Sequence, residues 1–93
     1  MIPETVNICG IPYRVMECVD SFNIDLHFGQ IDYAGAIIKI NMMASDEIKM
    51  QALFHEMLHG MLVLIGRNSE AEDEQLVQAL ANAMYQSFRL KEE

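Results

Sequence analysis

At 93 residues the chain has room for one domain, spanning residues 1–93, in which a single core hides roughly 60–65% of the unfolded chain's surface. Its 52% hydrophobic and 22% charged residues suit a packed core and set aside intrinsic disorder. With 14 acidic against 6 basic residues and a formal net charge of -8, the chain repels phosphate backbones and anionic headgroups, so neither nucleic acid nor a membrane is an expected partner.

In chain order, the opening Met1-Ile2-Pro3-Glu4-Thr5-Val6 has neither the basic nor the apolar region of a secretory leader, and the expected compartment is the cytoplasm. Val6 to Cys9 and Tyr13 to Val19 read as strands around a turn at Gly10-Ile11-Pro12. Leu26 to Asp32 and Ala36 to Met42 read as a second pair around Tyr33-Ala34-Gly35, with Ile38, Ile40 and Met42 alternating against Lys39 and Asn41 as in a half-buried strand. Cys9 and Cys18 lack close cysteine partners and read as reduced thiols in or near this sheet.

Beyond residue 44 the signals turn helical. Ser45 fits an N-cap, with Asp46 and Glu47 favoured by the dipole of the first turn, and Gly66 fits the stop. The apolar run Met61 to Ile65 inside this helix is five residues long, against about 20 for a membrane span. Ser69-Glu70-Ala71-Glu72 fits a capping box for a second helix carrying the stripe Val77, Leu80, Ala81, Met84 and Phe88. The expected fold is α+β: a small antiparallel sheet of two hairpins followed by two antiparallel helices.

The chemistry lies in His55-Glu56-Met57-Leu58-His59, an H-E-x-x-H motif. On a helix, the i, i+4 spacing brings both imidazoles to one face, where they can share a zinc ion, while Glu56 falls beside the metal as general base. From Ala52 to Ile65 every other residue is apolar or Gly, so these three polar groups stand in an otherwise hydrophobic helix. Burying them without partners costs several kcal/mol, and a bound cation is the simplest compensation. A catalytic zinc needs a third protein ligand. No His follows His59, and His27 lies in a strand segment, which directs attention to the carboxylates Glu70, Asp73 and Glu74. Helical geometry leaves Asp73 and Glu74 unseparated; the longer reach of Glu favours Glu74. Tyr85 reads as a core residue rather than a catalytic donor.

The runs Gly29 to Tyr33, Ile37 to Ile40, Gln51 to Gly60 and Glu74 to Asn82 together resemble the small phage- and prophage-associated metallopeptidases of the ImmA/IrrE type, similar to the minigluzincins. The resemblance implies a minimal zincin-like domain with a gluzincin-like zinc site, in which the family's downstream glutamate matches Glu74 and its H-E-x-x-H residues match His55, Glu56 and His59. It implies a zinc peptidase acting on a peptide or protein substrate. The alternative is a zinc-stabilised or degenerate protein-binding module without catalysis, favoured by the small size and by eight methionines, which suit adaptable surfaces. Either would be a monomer or a small homo-oligomer.

Overall fold

The computed structural model describes residues 2–19 and 28–88. Four strands, β1 (Thr5–Ile8), β2 (Ile11–Cys18), β3 (Gly29–Asp32) and β4 (Ile37–Asn41), precede three helices, α1 (Asp46–Leu64), α2 (Asn68–Ala71) and α3 (Glu74–Ser87). The sheet order is β1-β2-β4-β3. β1 and β2 form one antiparallel hairpin and β3 and β4 the other, but the hairpins join through a parallel β2–β4 pair with Val15 opposite Ile38. The sheet is therefore mixed, not antiparallel as expected. The reason lies in which strand of the second hairpin needs cover. β4 carries Ile38 and Ile40, both fully buried, and takes the inside position; β3, with exposed Gln30 and Asp32, tolerates the edge.

The first turn is tighter than the expected Gly10-Ile11-Pro12. Cys9 and Gly10 both have positive φ, 51° and 84°, the pattern of a two-residue turn whose twist matches the strands it joins. Pro12 lies inside β2 opposite Asn7. β4 pairs with β2 only from Arg14 onward, so the missing Pro12 N–H breaks no ladder bond. In the second hairpin Asp32 Oδ1 accepts from Gly35 N at 3.1 Å, holding a turn over Tyr33 to Ala36. Leu26 and His27, assigned above to the third strand, lie outside the described residues. The expected alternation of β4 ends early: Asn41 is buried and Met42 is exposed, because Asn41 Oδ1 accepts from Met43 N at 2.9 Å and turns the chain.

α1 begins as the sequence suggests, with Ser45 Oγ accepting from Ile48 N at 3.3 Å. It ends where Gly66, at φ 85°, closes a paired bond pattern: Arg67 N to Leu62 O at 2.8 Å and Gly66 N to Val63 O at 3.1 Å. This is the left-handed glycine cap that satisfies the last carbonyls of a helix. α1 crosses one face of the sheet, and its Leu53, Phe54 and Met57 join Ile8, Tyr13, Ile38 and Ile40 in the core. Gly60 makes the close approach possible, since a Cβ there would lie 3.0 Å from the Cδ1 atoms of both Ile8 and Ile31. Lys49 of α1 also reaches Glu17 of β2 at 2.6 Å.

The expected second helix is broken in two. No side chain caps α2, and the capping box at Ser69 to Glu72 does not form; Asp73 instead caps α3, its Oδ1 accepting from Leu76 N at 3.1 Å. α3 runs back along α1 on Val77 and Ala81, with Met84 and Tyr85 partly buried against the core. Leu80 and Phe88, placed in the stripe above, are exposed. Tyr85 meets Phe54 edge-on, ring centroids 6.2 Å apart, the core role expected of it. Among the described residues no helix is long and apolar enough to cross a membrane.

Candidate metal centre

His55 and His59, one turn apart on α1, turn the same ring nitrogen toward one point, with Nε2 to Nε2 at 3.1 Å. The third corner comes from α3. Glu74 Oε2 lies 3.1 Å from His55 Nε2, and Oε1 lies 3.0 Å from His59 Nε2. Two ligands at about 2.0–2.1 Å from a tetrahedral zinc stand about 3.3 Å apart, so the three observed separations are close to those of a His-His-Glu zinc site. His55, His59 and Glu74 are the group of potential ligands that the described residues bring together.

The break before α3 separates the three carboxylates that the sequence leaves open. Asp73 is held by its cap bond to Leu76 N. Glu70 pairs with Arg67 at 2.9 Å. Glu74, the first residue of α3, is free to turn its carboxylate toward the two imidazoles. The short α2 thus sets which residue meets the histidines, a consequence of chain path that helical periodicity does not contain.

Hydrogen bonding behind His55 orients its ring. Gln78 donates from Nε2 to Asn82 Oδ1 at 2.8 Å, which leaves Gln78 Oε1 to accept from His55 Nδ1 at 2.8 Å. With its proton on Nδ1, a neutral His55 presents a bare lone pair at Nε2 to the carboxylate oxygens of Glu74 and to His59. A lone pair at His55 Nε2 and the carboxylate oxygens of Glu74, converging with His59 Nε2, can hold a cation, and an oxygen acceptor behind the imidazole is the support that metal-bound histidines commonly have. Gln78 and Asn82 carry this role without any short motif to reveal it; the i, i+4 spacing from Glu74 is the only signal in the sequence.

Glu56 sits apart from the three. It is buried, 8% exposed, and lies under Gly29 of β3, where a Cβ would come within 3.1 Å of its Cγ and 3.4 Å of its Oε2. Gly29 is thus the clearance that lets this carboxylate stand beside the histidines. Burial first, and then the negative charge of Glu74, pushes the Glu56 carboxyl up to about 7. Next to it opens a cleft of about 800 Å³, bordered by Phe28, Gly29, Ile48, Ala52 and the two histidines. A second hollow of about 470 Å³ lies toward the C-terminal end of α1, between Tyr33, Val63 and Ala71, and shares His59 and Glu74 with the site.

No family model, no curated protein and no solved structure matches this chain.

Proposed function

We propose that the protein is a zinc-dependent peptidase, with His55, His59 and Glu74 as metal ligands and Glu56 as general base. The observation that carries this reading is the division of labour on α1. Two imidazoles converge with a carboxylate, while a second, buried carboxylate stands outside the cluster with its pKa raised to about 7, near the value at which a base can both take and return a proton at neutral pH. A purely structural zinc site is closed by four protein ligands; among the described residues three converge, an arrangement that leaves a position for water.

Zinc held there supplies Lewis acidity, activating a water and polarising the scissile carbonyl. Glu56 accepts the proton that the attacking water gives up, holds it within its apolar surroundings, and returns it to the leaving amine nitrogen. β3 is an edge strand whose Gly29 borders the cleft. An edge position suits an extended peptide, with backbone groups supplying hydrogen bonds along the substrate.

Metal analysis and a peptide-library assay test the proposal together. Protein purified without chelators should carry about one zinc per chain, and His55→Ala should lose it. Glu56→Gln should keep its zinc while hydrolysis falls about 10²–10⁴-fold. Equal and negligible zinc in wild type and His55→Ala would sink the metal site, and loss of zinc from Glu56→Gln would show Glu56 to be a ligand. Stoichiometric zinc with no cleavage of any peptide would favour the binding module.

A further inference from the structure

Peptide hydrolysis builds negative charge on the carbonyl oxygen, and a positioned hydrogen-bond donor that meets this charge is worth far more than one that meets the ground state. Of the three tyrosines, Tyr13 is buried in the core and Tyr85 packs on Phe54. Tyr33 is placed differently. Gly29 lies over Glu56 and Ile31 over Gly60, so β3 tracks α1 in the same direction with alternate side chains facing the helix. Tyr33 follows directly on β3, at the start of the turn to β4, and borders the hollow that His59 and Glu74 also line.

We propose that the Tyr33 hydroxyl is the donor that stabilises the carbonyl oxygen as the scissile carbon becomes tetrahedral. This rests on the peptidase reading and adds a catalytic residue to it. Partial burial, followed by the charges of Glu56 and Tyr13, pushes the Tyr33 hydroxyl further above its ordinary value of 10.0, so it keeps its proton and donates throughout the reaction. The water oxygen bonds to the carbonyl carbon, its proton passes to Glu56 and on to the amine nitrogen as the C–N bond breaks, and Tyr33 contributes a hydrogen bond without transferring its proton. The residue is also 40% exposed, as suits a group that meets substrate rather than one that holds the core.

The experiment compares full-length, zinc-loaded wild type, Tyr33→Phe and Tyr85→Phe in two assays. One is hydrolysis of a peptide library; the other is affinity for a phosphinic pseudopeptide, whose tetrahedral phosphorus oxygens mimic the reacting carbon. For Tyr33→Phe, kcat should fall about 10²–10³-fold, as on loss of one oxyanion donor, with KM, zinc content and melting temperature little changed. Phosphinic affinity should fall by a similar factor, and Tyr85→Phe should leave it unaltered. Undiminished kcat and phosphinic affinity in Tyr33→Phe, or a loss confined to KM, overturns the assignment. A wild type that binds the phosphinic peptide but cleaves nothing defeats the peptidase reading alone, and Tyr33 then stands or falls on the affinity difference. A wild type that neither cleaves nor binds removes both.

Discussion

The two helices that build the site hold their shares of it in opposite ways. α1 presents Glu56 from a buried position, wedged beneath Gly29, with Gly60 one turn on pressed between Ile8 and Ile31. α3 presents Glu74 from its first residue, with 66% of the side chain exposed. The α1 share is fixed by packing that exists with or without a ligand; the α3 share depends on what the carboxylate meets. If the proposed ion binds, the site is half preorganised and half closed by it, and the two halves should respond to different perturbations.

The largest contrast should come from pH. An unfolded Glu56 gives up its proton near its ordinary 4.5, and the folded one near about 7. Between those values the folded state binds the additional proton, so the stability of the metal-free protein is fully present below that window and declines as pH rises through it, by up to about 3 kcal/mol. Glu56→Gln removes that decline. Urea denaturation of both proteins with chelator at pH 5 and pH 8 measures it, and a wild-type-minus-variant difference that stays constant across the range contradicts it.

Zinc should discriminate on the other helix. With free zinc at about 100 times the wild-type Kd, the wild type should gain about 2.7 kcal/mol of stability, and Glu74→Ala should lose most of that gain while remaining folded in chelator. Melting curves with and without zinc report both quantities. If Glu74→Ala is stabilised as much as the wild type, α3 supplies no ligand.

The smallest effect sharpens the assignment of neighbours. Asp73→Ala removes the cap of α3 and should cost about 1 kcal/mol, by the same amount in chelator as in zinc. A penalty that appears only with zinc would transfer the ligand role from Glu74 to Asp73.

These contrasts also mark which parts of the molecule sequence reasoning could reach. His55, Glu56 and His59 could be read directly because one helix fixes their relation, and helical spacing is local. So could the caps of α1, where Ser45 and Gly66 act on their own neighbours. The mixed sheet was out of reach: either strand of the second hairpin could pair with β2, and only burial of Ile38 and Ile40 against a distant helix decides for β4. Likewise Ser69 and Asp73 both satisfy the local rules for a helix start. The choice of Asp73 follows from where the chain leaves Gly66 and must turn to lay Val77 and Ala81 against the core. Tyr33 shares a hollow with His59 and Glu74, a relation that no local spacing contains because it depends on how the turn after β3 lies against α1 and α3.

His55 is gripped at both ring nitrogens by one helix: Glu74 lies at its Nε2 and Gln78 at its Nδ1, one turn apart on α3. A small shift of α3 away from α1 therefore withdraws the carboxylate of Glu74 and the amide that sets the tautomer of His55 in the same movement. The site should come apart as a latch does, in one stroke, so that metal loss into excess chelator follows a single exponential whose rate reports the lifting of α3.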